Sequence, residues 1–403
     1  MEEDTALAWS HYKDLKRMKQ ERHESLIFHL RNLNNYVKAV LVQTYLSIKL
    51  VSSENEDDDK GVRILELCCE KGGDFSKLFA KKGVTQYMGA DLVFESLAEA
   101  VDRVRALQKT SYSLNIPSDI KFICVDLQKA DLVENDWGNP YEEGLKVWDS
   151  VSGEWHNEKK EIFASSQKFE FISMQFSLHY LLRSRETVEN LFAGIAYRLT
   201  PHGYFVCTTV DPRSLISEIL NSQTPMPEGP NNFLIEMKDE KGRAICSLEF
   251  EIGTLNKLFS GPGEFGLKYH FKLFDQEHQP AVDVPEFIVP TSLLLEVAEE
   301  FNLELVEQSR FTDYVEKNIS STKGLWLNMN VPDSQGKVYS LDWRIASLYQ
   351  VLVLRKQSHA NKHVEFLELL EQRKSADWSS LSKIEKTERI RAGIARKIQR
   401  NKV

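Results

Sequence analysis

Apolar residues recur at spacings of three and four from Ser25 onward, at Leu26, Leu30, Leu33, Val37, Val40, Leu41 and Tyr45. That period places them on one face of an amphipathic helix. Residues 1–24, before it, are polar and highly charged, and are read as a flexible polar arm or a solvated helix. After it, Ser52-Ser53-Glu54-Asn55-Glu56-Asp57-Asp58-Asp59 is acidic and without period, an expected loop. The chain then alternates short apolar runs with helical periods. Val62–Leu67, 86–91, 120–126, Phe169–Gln175 and 204–209 are the expected strands. Residues 74–80, 95–107 and the stretch bearing Val188, Leu191, Phe192, Ile195 and Leu199 are the helices, the last ended by Pro201-His202-Gly203. This βαβα rhythm predicts an α/β fold built on a doubly wound, mostly parallel sheet.

Two regions break the rhythm. Residues 133–167 are acidic, carry tryptophan and have no clear period. They exceed an ordinary loop, and are expected to form a surface excursion or a partner-binding element. Beyond Pro212 the pattern loosens into loops around 224–232 and 261–266, with strand-like pieces at 267–271 and 347–354 and a helix over 293–301. From Gln372 the chain turns basic, with Lys383, Lys386, Arg389, Arg391, Arg396, Lys397, Arg400 and Lys402. This tail is a nuclear address or RNA tether, or simply a solvated helix.

Composition narrows the class. At 403 residues, 42% of them hydrophobic and 28% charged, the chain has material for a large core in one or two domains. The net charge of −9 argues against broad, nonspecific nucleic-acid binding, though not against a local basic patch. No apolar run matches a membrane span, and no signal-peptide core follows the N-terminus. Cys68, Cys69, Cys124, Cys207 and Cys246 form no C-x-x-C pair, so free thiols are expected in place of disulfides or a metal site.

Candidate chemistry gathers where strands end. In an open α/β sheet, ligands bind at the carboxyl ends of the strands, near the first strand–loop–helix crossing. Here that crossing is Glu66-Leu67-Cys68-Cys69-Glu70-Lys71-Gly72-Gly73-Asp74. Asp91 ends the second strand, roughly 20 residues on, where a carboxylate accepts from ribose hydroxyls. Asp126 ends the third, placed for the exocyclic amine of an adenine. The loop lacks G-x-G-x-x-G, and its acids Glu70 and Asp74 would repel a pyrophosphate. An adenosine cofactor without phosphates, S-adenosylmethionine, fits better. Gln175-Phe176-Ser177-Leu178-His179-Tyr180, at the end of the fourth strand, supplies the polar and aromatic groups of a site for a flat ring.

With Arg31-Asn32-Leu33-Asn34-Asn35-Tyr36-Val37-Lys38, Lys71-Gly72-Gly73-Asp74, Val284-Pro285-Glu286-Phe287 and Tyr349, this segment resembles the mRNA cap guanine-N7 methyltransferases in order and spacing. The resemblance covers 25–356. It implies a Rossmann-like class I methyltransferase fold with an N-terminal helix and inserted and C-terminal substrate-binding elements. A catalytic domain at 25–356 would then lie between the arm and a basic tail at 357–403. The implied reaction is methyl transfer from S-adenosylmethionine to N7 of the cap of mRNA, by positioning alone and with no catalytic acid, base or metal.

By the same resemblance, Lys38 would meet the methionine carboxylate, Cys68 would line the cofactor and Asp91 would hold its ribose. Asp126 and Gln175 would flank the adenine, with Tyr180 near the sulfonium. Asn34, Asn35, Lys71, Lys77, Arg103, His179, Glu286 and Tyr349 would contact the cap. The implied partners are 5′-capped mRNA and a small activating subunit or transcription-linked capping proteins, in the nucleus, with no membrane.

One departure matters. The family's first loop normally reads Asp-x-Gly-x-Gly-Lys-Gly-Gly-Asp, and this chain has Glu66, Cys68 and Glu70 at the first acid and the two leading glycines. Glycine there permits positive φ and close backbone approach. Gln128 also stands where an aromatic is often found. The alternative reading is therefore a cap- or RNA-binding scaffold that keeps the fold but binds cofactor poorly because of Cys68-Cys69-Glu70.

Overall fold

A computed structural model of the chain describes residues 3–14, 24–54, 61–133, 135–141, 144–158, 167–222, 232–260, 263–277 and 279–357. The basic tail and residues 55–60 of the acidic loop lie outside the described residues.

The strands β1 (Val62–Leu67), β2 (Val84–Asp91), β3 (Asp119–Cys124), β4 (Leu145–Asp149), β5 (Trp155–Glu158), β6 (Phe169–Gln175), β7 (Leu199–Val210), β12 (Leu303–Arg310) and β13 (Tyr349–Lys356) form one sheet. Their order is β12-β13-β7-β6-β1-β2-β3-β4-β5. The five strands from β7 to β3 are parallel, and every other neighbouring pair is antiparallel. The direction of winding reverses between β1 and β6, the place where open α/β sheets open a crevice for ligands. Side chains alternate across the sheet. Ile64, Tyr87, Phe122, Phe171 and Val206 pack in one core, beneath α2 (Phe28–Glu54), α4 (Phe94–Thr110) and α9 (Phe311–Asn328). Leu65, Met88, Ile123, Ile172 and Phe205 pack in the other, beneath α5 (Arg185–Arg198) and α8 (Thr291–Glu300). The doubly wound expectation holds.

Three regions gain structure that the sequence did not announce. Within residues 133–167, expected as a surface excursion or a partner-binding element, β4 and β5 form an antiparallel hairpin that extends the sheet beyond β3. Trp137 and Trp148 are buried. The segment is anchored by Arg198, buried at the end of α5, whose guanidinium donates to Leu132 O at 2.9 Å, Asn135 Oδ1 at 2.7 Å and Gln167 O at 3.3 Å. Arg198→Ala would remove the donor to the Leu132 and Gln167 carbonyls and one of two donors to Asn135 Oδ1, which Trp137 Nε1 also reaches at 3.0 Å, at an expected cost of about 3 kcal/mol. Urea denaturation of the variant reads this as a lower midpoint at constant m.

The loose region after Pro212 contains a second sheet, order β11-β10-β9-β8, of β8 (Phe233–Lys238), β9 (Ala244–Phe250), β10 (Leu267–Gln276) and β11 (Gln279–Ile288). Its inner face buries Phe233, Ile235, Leu248, Phe250, Tyr269 and Phe271. Finally, the expected arm contains a helix, α1 (Glu3–Asp14), that packs on β11 and α4.

Candidate active site

The end of β1, the loop after it and the ends of β2, β3 and β6 converge with α1, α2, β10 and β11 on one cavity of about 300 Å³. Asn34, Cys68, Asp91, Asp126, Gln175, His179, Tyr180, Glu286 and Tyr349 all line it. These are nine of the expected site residues, brought together from seven separate segments.

The first loop keeps the backbone path that glycines would give it. Cys68 has φ 56° and Glu70 φ 49°, both in the left-handed region that L-residues other than Asn and Asp rarely occupy. The conformation is held from outside: the Glu70 N–H donates to Asp91 Oδ2 at 2.8 Å and the Cys69 N–H to Ala90 O at 3.1 Å. The missing glycines have therefore not rerouted the loop. They have strained it. Glu70→Gly relieves about 1–2 kcal/mol of left-handed strain and adds about 0.5–1 kcal/mol of chain entropy to the unfolded state. The expected net gain is about 0.5–1 kcal/mol, read from the shift in thermal midpoint. Phe176 is strained likewise, at φ 55°, with its N–H held by Thr208 O at 3.1 Å and Thr208 Oγ1 at 2.8 Å. Its ring stacks edge-on against Tyr349, 4.9 Å between centroids.

At one end of the cavity stand the two strand-end acids. Asp91 accepts from Glu70 N and, at 2.9 Å, from Val93 N. Burial pushes its pKa up to about 6, and Glu70 adds to the rise. Asp126 is buried, and its Oδ1 accepts from Gln128 N at 3.2 Å. Gln175 turns its amide nitrogen to Ser173 Oγ (3.1 Å) and Val206 O (3.0 Å), leaving a buried Oε1 without a protein donor.

Beside the loop, Asp74 takes two lysines, Lys38 at 2.8 Å and Lys77 at 2.6 Å. Burial alone would raise the Asp74 pKa, but the two ammonium groups hold it well below the usual carboxylate range. Glu66, close by, is pushed up to about 8 by burial and by the charge of Asp74, and accepts from Tyr87 Oη at 2.6 Å. Two cations on one ionised acid leave a positive excess that suits a ligand carboxylate. An adenosine-bearing amino acid such as S-adenosylmethionine fits the chemistry of this donor set: Asp91 and Asp126 face the cavity, and Lys38 lies behind its lining on Asp74.

At the other end, Glu286 and His179 are each 1% exposed, 3.4 Å apart between Oε1 and Nε2. Burial pushes the Glu286 pKa up to about 8, although a hydrogen bond from the Tyr269 hydroxyl opposes the shift. Burial also lowers His179 to about 3, so its ring is neutral at physiological pH. The contact between them is thus one of largely neutral groups. Tyr180 stacks edge-on against His179, 4.5 Å between centroids.

Not every expected residue reaches the cavity. Lys77 is buried on Asp74, Asn35 Oδ1 (3.1 Å) and Gly73 O (3.2 Å), so it supports the loop and does not face a phosphate. Lys71 pairs with Glu99 at 2.7 Å, and Arg103 donates to Lys71 O at 3.5 Å. These three, Asn35 and Lys38, which is held on Asp74, do not line the cavity. In their place stand residues that sequence reasoning missed: Thr5, Ala8, Trp9 and Tyr12 of α1, and Arg183. Tyr12 and Tyr180 share a hydrogen bond at 2.9 Å between hydroxyls, and the His11 ring donates to Ala281 O at 3.1 Å. A spacing of apolar Ala8 and Tyr12 at i, i+4 was the available signal, swamped by the charges around it.

Residues 2–357 match the model of the mRNA (guanine-N(7))-methyltransferase domain. The chain belongs to this family. Among curated relatives, it is 27% identical to mRNA cap guanine-N(7) methyltransferase 1 of Oryza sativa subsp. japonica, over 84% of this chain and 77% of that one. It is 26% identical to the mRNA cap guanine-N(7) methyltransferase of Schizosaccharomyces pombe, over 79% and 72%. A solved structure, the CcbJ methyltransferase from Streptomyces caelestis, aligns with TM-score 0.40 and 13% identity over 78% of this chain and 90% of its own. S-adenosylmethionine is the methyl donor of the family, in keeping with the donor set just described. Among the described residues, no cluster of metal-ligating side chains occurs and no helix is long and apolar enough to cross a membrane.

Proposed function

We propose that this chain methylates N7 of the guanosine cap of mRNA, with S-adenosylmethionine as donor. The observation that carries the reading is one cavity lined both by the strand-end acids Asp91 and Asp126 and by a buried carboxylate, Glu286. When bound, S-adenosylmethionine supplies a methyl group already activated on its sulfonium. Guanine N7 holds a free lone pair at neutral pH, so this chain needs no general base. Its work is alignment and charge complementarity. Glu286, once ionised, accepts from guanine N1–H and N2–H2, a pairing with a strong charge-assisted component. His179 is neutral and hydrogen-bonds Thr209 Oγ1 at 3.5 Å, which orients its ring on the wall beside Glu286. Tyr180, between the two ends, orients both ligands.

Glu70 favours the second reading, a cap-binding scaffold, because it puts a carboxylate on the cavity wall near Asp91. The retained left-handed backbone at Cys68 and Glu70 supports the enzyme instead. Equilibrium binding of S-adenosylhomocysteine separates the two. Micromolar affinity is expected of an enzyme, and no binding at millimolar ligand would establish the scaffold. Nuclear residence and an activating subunit rest on the family resemblance alone; a fluorescent fusion and affinity purification from nuclear extract test them.

A further inference from the structure

Helix α1 places an acid against two cations at the rim of the cavity. Asp4 Oδ2 accepts from Arg183 Nη2 at 3.0 Å, and Asp4 Oδ1 from Lys268 Nζ at 3.3 Å. The side chains of Asp4, Arg183 and Lys268 are 21%, 24% and 41% exposed. Asp4 and Arg183 line the cavity itself.

The fold sets the two cations side by side. Gly266 N donates to Leu182 O at 3.0 Å, and a Cβ on Gly266 (φ +82°) would lie 2.6 Å from Arg183 O. The close approach of these backbones therefore requires glycine, and it brings Arg183 to the start of β10, two residues from Lys268. Both cations adjoin the guanine end. Lys268 pairs across the sheet with Phe287 and Tyr269 with Glu286, while the Arg183 guanidinium lies 5.4 Å from the Phe287 ring centroid. A guanine held by Glu286 would carry its phosphate chain past this rim.

Two cations gripping one carboxylate is the arrangement a phosphate monoanion also satisfies, and phosphate offers more acceptor oxygens. A partly exposed pair of this kind contributes at most about 1 kcal/mol, so a polyanion can displace the acid. The lysines expected to contact the cap, Lys71 and Lys77, are engaged with Glu99 and Asp74.

We propose that Arg183 and Lys268 form a subsite for a backbone phosphate of the capped transcript, which Asp4 of α1 occupies until RNA displaces it. The subsite rests on the cap-methylation reading above and specifies how the RNA leaves the pocket. Asp4 then acts as an internal mimic of the phosphate, and α1 and the transcript compete for one place.

The test is binding of a capped ten-nucleotide RNA to the full chain over a series of salt concentrations, with S-adenosylhomocysteine binding measured alongside. Arg183→Gln and Lys268→Gln should each weaken capped RNA roughly 3–10-fold and reduce the salt slope by about 0.7. Neither should alter S-adenosylhomocysteine affinity. Asp4→Asn should tighten capped RNA several-fold. Unchanged slopes in both cation variants overturn the subsite, and so does an Asp4→Asn variant that weakens RNA as the cation variants do, since the ion pair would then only fasten α1. A parent chain that binds S-adenosylhomocysteine but not capped RNA overturns the function and the subsite together.

Discussion

Glu286→Gln is expected to lower kcat/KM for capped RNA by on the order of 10²–10³, the largest effect of any single substitution in the cavity. The carboxylate would accept two guanine N–H groups, and hydrogen bonds to a charged partner are each worth about 1.5–3 kcal/mol. An amide presents only one acceptor oxygen and turns an N–H toward a donor. The pH dependence identifies the group. Burial holds the Glu286 pKa near 8, so in the free protein at pH 7 the accepting form is the minor one. For the parent, kcat/KM should climb with pH up to about 8 and then level. The Gln variant should lose that climb.

Stability moves the other way. The folded pKa lies above the 4.5 of a free glutamate, so the stability Glu286 contributes is complete below about 4.5 and lost as pH rises through about 8. Glu286→Gln should therefore melt higher than the parent at pH 8 while failing to turn over. A loss of activity accompanied by a lower melting point at pH 8 would instead mean that Glu286 holds the sheet together.

The second large effect is at Asp91. Asp91→Asn should weaken S-adenosylhomocysteine about 100-fold or more. One carboxylate receives the N–H groups of Glu70 and Val93 while keeping lone pairs for ribose hydroxyls, and an amide must point its own donor at one of them. With the parent pKa at about 6, cofactor affinity should be full above pH 7 and fall as pH drops through 6. Because the Glu70 charge contributes to that raised pKa, Glu70→Gly should move the midpoint downward and tighten the cofactor at pH 6. Isothermal titration across pH 5–8 measures both. A Glu70→Gly chain with an unmoved midpoint would show that burial alone sets the Asp91 pKa.

The parallel half of the fold was legible because buried strands announce themselves as short apolar runs, and β1, β3 and β6 are such runs. The second sheet was not. Phe233-Leu234-Ile235-Glu236-Met237-Lys238 alternates as a one-sided strand should, with Leu234, Glu236 and Lys238 exposed, but it is six residues long and follows a Pro/Asn-rich loop. The β4–β5 hairpin has short, weakly apolar strands that tertiary pairing completes. In the site, Asp91 and Asp126 could be named because strand ends fix them, and His179 and Glu286 because the family resemblance marks them; all four line the cavity. Lys77 misled, since only the structure shows that Asp74 consumes its charge. The helix α1 left only the weak Ala8–Tyr12 spacing as a signal, and the place of α1 and Arg183 at the cavity depends on contacts 168 and 179 residues apart in sequence that no local period encodes.

The left-handed loop at Cys68–Glu70 carries the whole question of whether a cofactor sits opposite Glu286. One measurement decides it: transfer of labelled methyl from S-adenosylmethionine to a short RNA bearing an unmethylated guanosine cap, with the same RNA uncapped as control, followed by nuclease release of the cap. Label recovered as N7-methylguanosine from capped RNA, and none from uncapped RNA, is the expected result. No label in the cap, from a chain that binds capped RNA tightly, would contradict it.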